Sequence, residues 1–158
     1  MTDLLFKNFK LINTDFNGSQ AKMAFIIRAG LIHWIGPLSK VPKKSKFKKE
    51  IDLKNALVLP SFIECHTHTV FAGSRAAEFE MRNQGMSYLE IAAKGGGILS
   101  TMKATRQASV TQLTALAQER VDRFVQQGVS TLEIKSGYAL DLKNEIKMLQ
   151  VIKKLKGP

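Results

Sequence analysis

Apolar positions along the chain follow two rhythms. Up to residue 55 they come in short runs. Residues 4–12, 23–28 and 31–35 each carry the Leu, Ile and Phe content of a strand. Ala29-Gly30 separates the second run from the third and predicts a hairpin, and Asn17-Gly18 predicts another turn. The stretch Lys40-Val41-Pro42-Lys43-Lys44-Ser45-Lys46-Phe47-Lys48-Lys49 reads as a solvated loop between strands. No chemistry is visible in this part. His33, beside Trp34 in a strand pattern, reads as a packed or surface histidine.

A second rhythm begins near Asn55. The run Leu57-Val58-Leu59-Pro60-Ser61-Phe62-Ile63 reads as one buried strand. Residues 69–108 carry many glycines and few strand signals. Over residues 111–127, Leu113, Leu116, Ala117, Val121, Phe124 and Val125 recur at helical spacing, and Gly128 ends that helix. Residues 129–134 predict a second strand. Asp141 can cap a second helix whose Leu142, Ile146, Leu149 and Ile152 share a face. Strand, helix, strand, helix at this spacing is the pattern of parallel α/β structure. A closed (β/α)8 barrel takes about 250 residues, so two such units predict a partial barrel with an open sheet edge.

Composition narrows the class. The 158 residues are 44% hydrophobic and 23% charged, as in a globular protein. No run of 18 apolar residues is present, and the first residues lack the signature of a secretory signal, so the expected location is the cytoplasm. Cys65 is the only cysteine, which excludes an internal disulfide. The net charge of +11 could suit nucleic acid, but no zinc-finger spacing, RNA-recognition aromatics or helix-turn-helix pattern accompanies it. A generally basic proteome is the simpler account, and no nucleic-acid or membrane partner is expected.

The candidate chemistry lies at the end of the apolar strand. Residues two apart on a strand share a face, so His66 and His68 should stand side by side at its carboxyl end. That is the active-site end of a (β/α)8 barrel. Two imidazoles on one face make half of a metal site. Cys65 should point away from that face. Gly95-Gly96-Gly97 is followed by no Gly-Lys-Ser/Thr, so a phosphate-binding loop is excluded. Glu133 and Lys135 share a strand face and could pair.

A strand that ends in His-x-His after a Leu-Pro-x-Phe run resembles the amidohydrolase superfamily. Phe71-Ala72-Gly73-Ser74-Arg75-Ala76-Ala77-Glu78-Phe79, Gly85-Met86-Ser87-Tyr88, Gly95-Gly96-Gly97-Ile98 and Glu133-Ile134-Lys135-Ser136-Gly137-Tyr138 narrow it to the imidazolonepropionase family, amino-terminal portion. Ser61, where Gly is usual, and Glu64-Cys65 are modest departures. The resemblance implies an α/β fold: a partial metal-dependent-hydrolase (β/α)8 barrel over residues 56–158, with residues 1–55 as the amino-terminal part of a small composite β-sandwich domain. It implies hydrolysis of 4-imidazolone-5-propanoate to N-formimidoyl-L-glutamate in histidine degradation, with water activated by one divalent metal ion, zinc or iron. The metal ligands so implied are His66 and His68, with a third His and an Asp not found in this chain. Arg75 and Tyr138 are the implied substrate contacts. Arg75 could instead be tied to Glu78 or Glu80, a structural role otherwise expected of Arg82, and Tyr138 could be packed at the barrel rim. Lys135 is not expected to be a metal ligand. No catalytic base is expected within this chain, which should be inactive alone, and the full-length enzyme could be a homodimer. The competing readings are a cyclic amidase or deaminase fragment of the same superfamily and a non-catalytic truncated product.

Overall fold

A computed structural model describes residues 3–12, 21–43 and 46–157, and the chain divides into two compact units, Met1–Pro60 and Ser61–Pro158. The first unit is a five-stranded mixed sheet. Strands β1 (Asp3–Leu11), β2 (Met23–Arg28), β3 (Leu31–Pro37) and β4 (Phe47–Asp52) lie in the order β3-β2-β1-β4, and β5 (Leu57–Val58) also pairs with β1. The β2–β3 hairpin forms as expected, because Ala29 (φ 51°) and Gly30 (φ 81°) both take the left-handed conformation that the tight turn requires. Asn8 (φ 59°) sits at a bulge in β1, and past it β1 exchanges its parallel partner from β4 to β5. Leu5, Ala24 and Ile26 form the core of this sheet, with Trp34, Leu38, Val41 and Phe47 against it. Asp3 is buried and takes both donors of the Arg28 fork at 2.9 and 2.7 Å. The exposed His33 ring also lies 3.0 Å from Arg28, a surface role.

Two expectations for this half change. The lysine-rich stretch is not all loop: Phe47-Lys48-Lys49 opens β4, and Phe47 anchors it to the core. The apolar run from Leu57 is not one buried strand. Pro60 lacks an N–H for a ladder, and pairing stops there. Leu57 and Val58 join the first sheet, and a new strand, β6 (Phe62–Thr67), starts the second unit. The Asn17-Gly18 turn lies outside the described residues.

The second unit pairs β6 in parallel with β7 (Val129–Ile134). Between them run α1 (Ala76–Asn83), α2 (Tyr88–Ala93), α3 (Ile98–Gln107) and α4 (Val110–Gln126), and α5 (Leu142–Ile152) follows β7. The expected α4 is present, with Gly128 (φ 88°) beyond its end. Ser87 with Glu90, and Ser109 with Gln112, close reciprocal capping boxes at α2 and α4. Asp141 caps α5 by accepting the Asn144 N–H at 2.9 Å. The Lys147 ammonium donates to the carbonyls of Thr105, Arg106 and Ala108, so it satisfies the open end of α3.

The core of this unit is Val70, Ala72, Leu113, Ala117, Ala139, Met148 and Val151. Leu113 is fully buried there, and Leu113→Ala should lower stability by about 2–5 kcal/mol. Urea titration of both proteins measures this as a lower midpoint at an unchanged slope. The expected face of α5 is corrected. Met148 and Val151 are buried, whereas Leu142, Ile146 and Leu149 are exposed, Leu142 at 78%. The expected buried strand is corrected likewise, with Ile63 of β6 66% exposed. A two-stranded sheet has too little surface to cover both its faces and every helix stripe. Among the described residues, no helix is long and apolar enough to cross a membrane.

Candidate active site

The two histidines stand where β6 ends. His66 belongs to the strand and His68 lies just beyond it. In the ladder with β7, Glu64 faces Leu132 and Thr67 faces Ile134, so Cys65 and His66 together oppose Glu133. This irregularity is absent from the alternation argument, and such bulges re-aim side chains beside functional sites. The rings of His66 and His68 nevertheless adjoin, with centroids 5.2 Å apart at 70°. Cys65 is exposed, its Sγ 3.9 Å from the Ile63 carbonyl.

The chain after His68 is held from two sides. Thr105, fully buried on α3, accepts the Ala72 N–H at 3.1 Å. Arg120 of α4 donates to the carbonyls of Thr69 and Phe71 at 2.9 and 2.8 Å, and its guanidinium carbon lies 3.7 Å from the centre of the Phe71 ring. Burial pushes the Arg120 pKa down, with Arg123 adding to this and Glu119 opposing it. Thr67 bonds to both the Thr69 hydroxyl and the Glu133 carbonyl, tying the end of β6 to β7.

Tyr138 arrives from the loop after β7. Its ring lies 5.1 Å from that of His68 and 5.7 Å from that of Phe71. Gly137, with φ 137°, brings the backbone against His68: a Cβ there would lie 3.1 Å from His68 Cε1 and 3.5 Å from Nδ1. Gly137→Ala should therefore cost about 1–3 kcal/mol in backbone strain and displace the His68 ring. With three histidines in the chain, the His68 imidazole resonance reports the displacement directly.

Arg75 and Tyr138 line one cleft of about 430 Å³, together with Phe71, Thr101 and Arg120. His68 lines an adjoining cleft of about 330 Å³, and Arg120 and Phe71 belong to both. Arg75 is also held structurally, since both its Nε and a terminal nitrogen lie 2.7 Å from one Glu78 oxygen. The other Glu78 oxygen accepts the Gly97 N–H at 3.0 Å, which links the triglycine turn to this pair. The ion pair with Glu78 is thus made by Arg75, and Arg82 has none among the described residues. Glu78 points back to the start of α1, three residues earlier, and not forward to Arg82. Among the described residues the Lys135 ammonium has one acidic neighbour, the exposed Glu133 at 3.9 Å.

A divalent cation can be tested against this geometry. Two imidazoles sharing a tetrahedral ion at about 2.0–2.1 Å have ring centres roughly 5 Å apart, close to the separation of His66 and His68. His68 Nδ1 is buried and has no hydrogen-bond partner among the described residues, an acceptor or donor left for another group. The pair fits two ligands of such an ion. Among the described residues no cluster of three or more His, Cys, Asp or Glu completes the set.

Two residues the sequence reading passed over support the site. Arg120 falls three residues after Ala117 and seven after Leu113, on the buried stripe of α4. Glu145 falls three before Met148, on the buried stripe of α5. A charge at a core position of a helical pattern was the signal available.

Comparison with known proteins bears out the resemblance. The chain is 60% identical over 137 residues to an imidazolonepropionase of Bdellovibrio bacteriovorus, covering 85% of this chain and 32% of that protein. It is 54% identical over 132 residues to one from Pseudomonas entomophila, covering 84% and 33%. The chain thus spans about a third of the length of the curated relatives it matches. No family model matches it. Among solved structures, it is similar to a 5-methylcytosine deaminase from Klebsiella pneumoniae with a TM-score of 0.64 at 19% identity, covering 95% of this chain and 33% of the other. It is also similar to an amidohydrolase with a TM-score of 0.58 at 16% identity, covering 99% and 30%. The fold is part of the amidohydrolase barrel fold.

Proposed function

We propose that this chain, a close sequence relative of the imidazolonepropionases, is the amino-terminal portion of such an enzyme and carries half of its metal site and part of its substrate pocket. The reading rests above all on 60% identity to an imidazolonepropionase across 85% of the chain. The reaction is hydrolysis of the cyclic amide 4-imidazolone-5-propanoate, opening a ring C–N bond to yield N-formimidoyl-L-glutamate. Residues 1–60 are assigned to the composite β-sandwich and 61–158 to the first βα units of the barrel, in a cytoplasmic enzyme, the boundary moving from residue 55 to Pro60 because Leu57 and Val58 pair with β1.

His66 and His68 would hold one divalent ion, zinc or iron, both of which accept imidazole. When bound, such an ion lowers the pKa of water towards 7 and polarises a carbonyl. The rest of the assignment concerns this chain's own groups. Arg75 presents a fixed fork of donors to the propionate or the ring oxygen, while Glu78 holds the fork in orientation. Tyr138 offers a hydroxyl donor in the same cleft. Phe71, under the Arg120 guanidinium, gives that cleft an apolar floor.

The test is a chimera that joins this chain to the remaining two thirds of the Bdellovibrio bacteriovorus relative. The chimera should release N-formimidoyl-L-glutamate in the presence of zinc or iron, and the 158-residue chain alone should not. A folded, metal-loaded chimera that turns over a cytosine-type substrate but not the imidazolone would overturn the assignment.

A further inference from the structure

The loop that presents Tyr138 is organised around one acidic side chain. Glu145 lies in the first turn of α5, and its Oε1 accepts the N–H groups of Ala139 and Leu140, both at 2.8 Å. Burial pushes its carboxyl up, but the Ser136 hydroxyl and the N–H groups of Leu140, Ala139 and Gly137 outweigh this and hold it below the usual carboxylate range. The loop needs such an anchor. Leu140 has φ 58°, a conformation a leucine adopts only under restraint, and Gly137 has φ 137°. Arg106 secures the same loop from α3, donating to the Ala139 carbonyl at 2.6 Å and pairing with Asp141 at 2.9 Å. Ala139 is fully buried, so its N–H cannot turn to water if the carboxylate is lost.

We propose that Glu145 is a positioning residue for Tyr138: by gathering the N–H groups of Ala139 and Leu140 it holds the tyrosine ring against His68 and Phe71. Its partners are the N–H groups of the loop, and it acts through the loop. The functional meaning rests on the reading of Tyr138 as a substrate contact. The positioning itself does not, and its test needs neither substrate nor metal.

The chain contains two tyrosines, Tyr88 and Tyr138, and this supplies the assay. In protein labelled with 13C-tyrosine, the Tyr138 ring signals should be displaced from free-tyrosine positions by the neighbouring His68 and Phe71 rings, and Tyr138→Phe assigns them. Glu145→Ala should collapse most of that displacement while Tyr88 stays in place and far-ultraviolet circular dichroism remains native. Glu145→Gln, whose amide oxygen can still accept both N–H groups, should restore most of it. Native Tyr138 signals in a folded Glu145→Ala protein would overturn the proposal. If Glu145→Ala does not fold, Glu145→Asp decides: it keeps the charge but withdraws the oxygens by one methylene. The Asp variant should displace Tyr138 in the same sense, and native signals in it would equally refute the role.

Discussion

His66→Ala, introduced into the chimera, is expected to empty the metal site and reduce turnover to background. The imidazole donates a lone pair for which this chain holds no replacement, since among the described residues no third His, Cys, Asp or Glu clusters with the pair. Removing an outer partner of a metal ligand already costs about 10–100-fold in affinity, and removing the ligand itself should cost more. His68→Ala should behave alike and also remove a ring that touches Tyr138 and Gly137. Metal content after gel filtration and turnover with added zinc or iron are the measurements. Full metal retention by either variant would withdraw the histidine pair from the site.

Arg75→Ala is expected to have the opposite signature, with metal content unchanged and kcat/KM lower by about ten- to a hundredfold. A guanidinium cannot ligate a cation. Its loss removes a charge-assisted hydrogen bond of about 1.5–3 kcal/mol, which gives that range. Because Arg75 also pairs with Glu78, the control is Glu78→Gln, which keeps the guanidinium and weakens only its anchor. If both variants lost activity equally together with thermal stability, Arg75 would be a structural residue of the loop. Arg75→Lys should recover only part of the activity, since an ammonium lacks the planar fork.

Much of this arrangement was legible in the sequence. The hairpin at Ala29-Gly30, the α4 helix with Gly128 behind it and the Asp141 cap each rest on local chemistry, and each formed as expected, although of the α4 stripe only Leu113, Ala117 and Val121 are buried while Leu116 and Val125 are exposed. The junction near Pro60 was read through because its apolar run continues across the proline. Only tertiary pairing tells that Leu57 and Val58 serve one sheet and Phe62 onward another. Helices α1 to α3 went unread because glycines and short lengths blur their periodicity, although Ser87 and Glu90 already spelled a capping box. The face of α5 was misread because apolar residues surround most of that helix, and packing against α4 selects Met148 and Val151 from them. At the site, residue spacing located the histidines, but the bulge opposite Glu133 and the hold of Glu78 on Arg75 are three-dimensional facts.

The parallel pairing of β6 with β7 has a kinetic consequence. About 60 residues of chain, including four helices, lie between the two strands, so their first contact closes a long loop at an entropic cost of roughly 3–4 kcal/mol. Helices α1 to α4 can form from near neighbours in microseconds, but the ladder cannot begin until they are arranged. The strand that carries His66 is therefore among the last parts of this unit to be built. In a pulse-labelling experiment its amides should gain protection after those of α4.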